Sequence, residues 1–323
     1  MELALLKKTR EDNKLKRMRA GGGRTPLQKM MRHWQLYVVV FLPVLYIIIF
    51  KYIPMYGAQI AFRDYEASKG ITGSAWVGFK NFENFFKAPI FWRLIKNTLG
   101  ISIYSLLAGF PMPILLALAL NEVGKKYFQK TVQMITYAPY FISTVVMVSM
   151  IIQFLSPSVG VIPHILNLMG IETQNILGTP QYLKSIYVWT GVWQYTGYSS
   201  VIYIATLAGV DPSLSEASIV DGASKLQRIW HINVPAIMPT AVILLIMNVG
   251  QVMNVGSEKV FLMQNPLNMS TSDVIATYVY RIGLIGSQYS FSTAVSLFNS
   301  VVNLLLIVTV NQVAKKLGET SLW

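Results

Sequence analysis

The chain is 323 residues long, 53% hydrophobic and only 13% charged, which is too apolar for a soluble domain of this size. Its 27 lysines and arginines against 14 acidic residues give a formal net charge of +13. With no cysteine, disulfides, thiol catalysis and cysteine-based metal sites are excluded.

The first 33 residues hold a run of basic side chains from Lys7 and Lys8 to Lys29 and Arg32. Ahead of an apolar stretch, such a run contacts anionic lipid headgroups and fixes topology, so it is read as a membrane-lipid contact and not as a nucleic-acid site. No small-residue cleavage site follows, so it is not a secretory signal. Charge-free runs then occupy residues 34–50, 97–121, 131–171, 185–210, 229–257 and 282–314. A hydrocarbon core about 30 Å thick needs about 20 helical residues, so each run can hold one span. The sequence therefore predicts an all-α, polytopic membrane protein. Its six transmembrane helices fall at about 34–53, 97–121, 131–155, 187–209, 236–256 and 291–314. A basic segment, 1–33, precedes this 34–314 domain and a short tail, 315–323, follows it.

Between the first and second spans, Phe79, Phe82 and Phe86 have the spacing of a helix lying at headgroup level. Pro111 and Pro113 in the second span and Pro139 in the third each remove a backbone hydrogen bond and predict kinks. The third span ends at Ser156-Pro157-Ser158-Val159-Gly160. The fourth carries Trp193, Gln194, Tyr195 and Tyr198. After it comes a polar stretch, 211–235, with the features of a folded element. Asp211-Pro212 ends the span, Ser213 and Glu216 have capping-box spacing, Gly222 permits a bend, and Pro235 closes the element. Asn248, Gln251 and Asn254 would share one third of the circumference of the fifth span, and Ser296, Asn299 and Asn303 one face of the sixth. Amides in hydrocarbon face a partner helix or a wet cavity, so these groups fit either helix-to-helix hydrogen bonding or a sugar path.

Basic residues set the orientation. Lys125, Lys126 and Lys130, then Lys225 and Arg228, then Lys315 and Lys316 alternate onto one side, predicting cytoplasmic N- and C-termini and a cytoplasmic 211–235 loop. His33, His164 and His231 lie in separate loops and form no ligand cluster. No serine-histidine-aspartate elbow or phosphate-binding loop is present, so neither a catalytic nor a metal site is predicted, and the chain is not read as an enzyme. No span holds an acidic residue and no internal repeat is visible, which weighs against an ion-coupled secondary transporter.

Glu216-Ala217-Ser218, Gly222, Ile232 and Val234-Pro235 resemble the signature of the membrane subunits of binding-protein-dependent ABC importers. Trp76-Val77-Gly78-Phe79-Lys80-Asn81-Phe82 resembles the segment before the second span in carbohydrate-importing ABC permeases, and Lys51-Tyr52-Ile53-Pro54-Met55-Tyr56-Gly57 and Ala61-Phe62-Arg63-Asp64-Tyr65 are similar to the subgroup importing complex oligosaccharides and polysaccharides, such as lipo-oligosaccharide or alginate. The resemblance implies a type I, maltose-importer-like permease fold in a bacterial inner membrane. It implies a coupling helix that meets an ATPase through Glu216, Ala217, Ser218, Asp221, Gly222, Ala223, Ile232 and Pro235. It also implies a second homologous permease, two ABC ATPase subunits that bind the ATP and magnesium, and an extracytoplasmic sugar-binding protein. The expected cargo is a carbohydrate. The basic first external loop suggests an acidic one, and the alternatives are a non-sugar solute or, more remotely, a secondary transporter.

Overall fold

A computed structural model describes residues 33–171, 175–316 and 321–322. The basic segment up to residue 32 and most of the predicted tail lie outside the described residues. The chain divides into two compact units, Met1–Ala58 and Gln59–Trp323.

In the smaller unit, α1 (Trp34–Ile47) is apolar on every side and buries no residue, as suits a helix whose solvent is lipid. Pro43 sits inside it, and it runs on into a π-helical turn, Ile48–Tyr52, which carries Lys51.

The larger unit opens with a two-stranded ribbon, β1 (Arg63–Asp64) antiparallel to β2 (Ala75–Trp76), in which Arg63 pairs with Trp76. The Arg63 guanidinium lies 5.4 Å from the Trp76 ring centre and donates to the Ser74 carbonyl at 2.8 Å. In α2 (Lys80–Lys87) the fully buried aromatic is Phe85, not one of the predicted Phe79, Phe82 and Phe86. Phe85 meets Phe91 and Phe298 edge-on at 5.0 and 5.6 Å, so α2 packs that side against protein while Phe79 and Phe86 stay exposed.

Next, α3 (Phe91–Gly109) and α4 (Pro111–Asn121) run on as one helix of 31 residues, with Pro111 at a first-turn position where its missing N–H is tolerated. The predicted third span is bent: α5 (Lys126–Tyr137) and α6 (Thr144–Phe154) meet at 97°. Pro139 tightens the chain into a 3-10 turn, Ala138–Phe141, and Ser143 then caps α6 by accepting from the Val146 N–H at 3.3 Å. After a short α7 (Val161–Leu168), α8 (Pro180–Ala208) is 29 residues long.

Three short segments of the chain follow: α9 (Pro212–Val220), α10 (Lys225–Arg228) and a π-helical turn, Ile229–Asn233, that leads into α11 (Val234–Val249). Small helices α12 (Ser257–Met263), α13 (Met269–Ser272) and α14 (Ile275–Tyr280) precede the last long helix, α15 (Tyr289–Lys316).

Four helical runs among the described residues are long and apolar enough to cross a membrane: one beginning at Trp34, then Phe91–Asn121, Lys225–Val249 and Tyr289–Lys316. The bent α5–α6 pair can supply a fifth. α8 has the length but carries Thr190, Gln194, Thr196 and Ser200 through its middle, which lowers its hydropathy below that of the other four. One cluster, Ala117, Leu118, Tyr203, Leu207, Ile237 and Ala241, locks α4, α8 and α11 together. A second, Phe85, Leu94, Met253, Ile275 and Val295, joins α2, α3, α14 and α15. Gly197 of α8 lies so close to the Thr136 carbonyl of α5 that a Cβ there would collide with it.

Candidate functional site

Two features stand apart from helix packing: the loop between α8 and α11, and a cavity among α3, α8 and α11.

The loop is a folded element. Asp211 is the cap of α9, its carboxylate accepting from the Ser213 N–H at 2.9 Å. Those bonds from Ser213 hold the Asp211 carboxyl below its ordinary range. The predicted Ser213–Glu216 capping box is therefore not formed. Pro212 takes the first helical position and moves the cap back to Asp211. A capping box does form at α10, where the Ser224 N–H donates to Gln227 Oε1 at 2.7 Å and the Gln227 N–H donates to Ser224 Oγ at 3.4 Å. Between them, the Ala223 N–H donates to the Ser218 carbonyl at 2.9 Å and the Gly222 N–H to the Ile219 carbonyl at 3.0 Å. This bond pair is a Schellman closure, and it requires the positive φ of 79° that Gly222 adopts.

Pro235 does not end the element as predicted. It sits in the first turn of α11, inside a continuous run, Lys225–Val249, because the π-helical turn before it widens the helix where its ring and missing N–H would conflict. Glu216, Ala217, Asp221, Gly222 and Pro235 are exposed, and Ser218, Ala223 and Ile232 are half-buried. Around them Leu214, Ile219, Val220, Leu226 and Trp230 are all more than half exposed, an apolar concentration that marks a contact surface.

The loop is tied to the rest of the unit at its root. Arg228 Nη2 lies 3.1 Å from Glu122 Oε2, and Asn233 Nδ2 donates to Glu122 Oε1 at 3.2 Å. Both members of the ion pair are largely buried. Glu122 is not among the sequence-predicted site residues. Its only sequence signal is a lone acid at the end of a span whose neighbouring loops are basic.

The cavity measures about 840 Å³. Of the predicted path residues it brings together Tyr195, Tyr198, Asn248, Gln251 and Asn254, and it adds Ser102, Ser105, Tyr187 and Lys259. α11 stops at Val249, so Gln251 and Asn254 stand on a turn at the cavity wall and not on the helical face predicted for them. Ile307 of α15 packs against Gly250, leaving no room for a side chain there, and Asn303 Oδ1 accepts from the Met253 N–H at 3.0 Å.

Other amides serve broken backbone. Gln194 Nε2 donates at 2.9 Å to the Ile142 carbonyl, freed by the α5–α6 bend. Asn299 Nδ2 reaches Asn254 Oδ1 at 2.9 Å, and Asn254 Nδ2 reaches Gln251 Oε1 at 2.7 Å. Trp193 lies in a separate apolar cavity of about 420 Å³ with Met147, Phe154, Ile186 and Trp189. One face of Tyr198 stacks on Tyr140, with centres 3.8 Å apart.

A first expected result follows from these bonds. Asn303→Leu strands the Met253 N–H, a loss of about 1–3 kcal/mol for a buried donor, and should lower the unfolding midpoint of the purified complex. Asn248→Leu, at the cavity wall, should leave that midpoint nearly unchanged. Equal midpoints for the two variants would contradict the difference in their surroundings.

A helical membrane protein with a cavity where amides and tyrosines stand among apolar side chains, and with a capped, apolar-tipped loop, is a solute permease built to work with partner subunits. Residues 109–318 match the family of binding-protein-dependent transport system inner membrane components, and the chain belongs to it. Relatives from Bacillus subtilis (strain 168) include the protein LplB, 40% identical and covering 94% of this chain and 96% of its own. They also include the polygalacturonan/rhamnogalacturonan transport system permease protein YteP, 40% identical with 92% of each chain covered. Among solved structures, a chain of a bacterial alginate ABC transporter in complex with alginate pentasaccharide-bound periplasmic protein superposes with a TM-score of 0.85. It is 38% identical, and the match covers 92% of this chain and 99% of that one.

Proposed function

We propose that this chain is one membrane subunit of an ATP-driven importer that passes an oligosaccharide or polysaccharide fragment, with an acidic sugar such as a uronate the favoured cargo. The observation that carries the reading is the cavity, where amides at Asn248, Gln251 and Asn254 stand beside the rings of Tyr187, Tyr195 and Tyr198. Sugars offer hydroxyls to amides and C–H faces to rings, so this pairing suits them better than it suits a peptide or an inorganic ion. The named cargoes of YteP and of the alginate transporter support the same class.

In this reading a soluble binding protein delivers the sugar and a second, homologous permease completes the passage. Two ATPase subunits bind ATP and magnesium and meet the loop at Glu216–Ala223 and the exposed Ile219, Val220 and Leu226. The chain itself performs no chemistry. Its work is to hold the sugar while the cavity changes the side to which it opens.

The cargo reading is tested by uptake in proteoliposomes. Gln251→Leu combined with Asn248→Leu should leave assembly intact and slow uptake of the cognate sugar at least several-fold, at about 1–3 kcal/mol per orphaned hydrogen bond. Unchanged uptake would remove these amides from the passage. The basic loops support a cytoplasmic side for Lys125, Lys225 and Lys315. Since the chain has no cysteine, a Lys225→Cys variant should resist an impermeant thiol reagent added outside intact spheroplasts and react after lysis. Labelling before lysis would reverse the orientation.

A further inference from the structure

Among the described residues, Lys259 is a buried cation without a carboxylate partner. It is 7% exposed and lies in α12. Its Nζ donates to the backbone carbonyl of Tyr187 at 2.7 Å and lies 4.6 Å from the centre of the Tyr187 ring. Gly191, one turn further along α8, faces it: a Cβ there would lie 3.4 Å from Nζ.

A buried ammonium with one carbonyl and one ring for company is under-compensated, because burial removes water that three N–H donors would otherwise hold. Burial accordingly lowers Lys259 to about 8, which leaves it protonated at neutral pH. The other large cation cluster near the small helices is closed: Asp273, fully buried, takes Arg281 at 2.8 Å and has Arg93 at 4.0 Å. Lys259 has no such partner, and it lines the same cavity as Tyr195, Asn248 and Gln251. Glu258 also lines that cavity, but it is exposed, so its charge is screened by water where that of Lys259 is not.

We propose that Lys259 is the specificity-determining group of the cavity, its ammonium receiving a carboxylate of the cargo while the Tyr187 ring packs against the same sugar unit. This rests on the carbohydrate reading above. It adds a residue and a charge requirement, and a carboxylate at this position would complete the ammonium's partners and favour its charged form.

The test compares uptake by the whole importer in proteoliposomes, with its own binding protein, of short oligogalacturonates and of the same oligomers with their carboxyls reduced to alcohols. Lys259→Met should cut uptake of the acidic oligomer by at least about tenfold, the range of a hydrogen bond to a charged group, and leave the reduced oligomer within about twofold. Lys259→Arg should keep most of the acidic uptake. Equal losses on both oligomers would make Lys259 a structural clip between α12 and α8 and overturn the proposal, as would unchanged acidic uptake in the methionine variant. A wild type that carries only the reduced oligomer leaves the carbohydrate reading standing and removes this one. A wild type that carries neither removes both.

Discussion

Replacing Glu122 by alanine is expected to uncouple the importer. ATP hydrolysis should lose its stimulation by the loaded binding protein and sugar uptake should fall to background, with the subunits still co-purifying. The reason is what the substitution leaves behind. Arg228 is about 15% exposed and bonds Glu122 at 3.1 Å, and Asn233 uses the other carboxylate oxygen. Removing one member of a mostly buried pair costs about 3–5 kcal/mol in a dry interior, and the residual exposure here places this pair at the lower end. That is enough to free the root of the loop from α4 while the hydrophobic contacts of α4, α8 and α11 hold the bundle together. A charge-swapped pair, Glu122→Arg with Arg228→Glu, should recover part of the stimulation. Measuring ATPase activity with and without the loaded binding protein in both variants decides the matter: full stimulation in Glu122→Ala would show the tether to be dispensable.

The second large effect is expected at Gly222, and its pattern is more telling than its size. A Cβ on Gly222 would meet nothing within 4 Å, so a side chain there is opposed only by the positive φ. Asparagine tolerates the left-handed region, whereas a β-branched residue is penalised by about 1–2 kcal/mol or more. Gly222→Asn should therefore retain most stimulated ATPase activity and Gly222→Val should lose it, with the loop reopening at the C-terminal end of α9. If both variants fail equally, the glycine is required because a partner's backbone approaches it, and the turn geometry is secondary.

The 211–235 loop was legible in the sequence because its signals are local. Asp211-Pro212 at the start, a cap beside it and the glycine at 222 each act within a few residues of themselves, so their spacing located the element. The cap was misassigned for the same local reason: Asp211 and Ser213 are both good caps, and only the placement of Pro212 decides between them. The amides were different. From spacing, Gln194, Asn248, Gln251 and Asn303 looked equivalent. They divide only once two breaks exist, at Ile142–Ser143 and after Val249, each freeing backbone groups that an amide from a distant helix must satisfy. The Met253–Asn303 bond spans 50 residues and the Gln194–Ile142 bond 52, and no periodicity encodes either. Lys259 was readable as a loop lysine but not as a buried one, since its cover is a tyrosine 72 residues earlier.

The continuous run Lys225–Val249 joins the two features that matter. It starts at the capping box of the loop and ends at the cavity wall, 25 residues later. At 1.5 Å per residue it is about 37 Å long, and the arm beyond its π-helical turn, Val234–Val249, is about 24 Å, so a tilt of about 10 degrees swings the far end by about 4 Å. The π-helical turn, Ile229–Asn233, sits near the loop end, where a bulge allows the axis to flex. From there to Val249 Pro235 and Pro239 are the residues without a backbone donor, both well short of Asn248. A pull on the loop would reach the cavity as leverage: the joint lies at the handle, the long arm stays straight, and the amide at its tip travels about the width of a sugar ring.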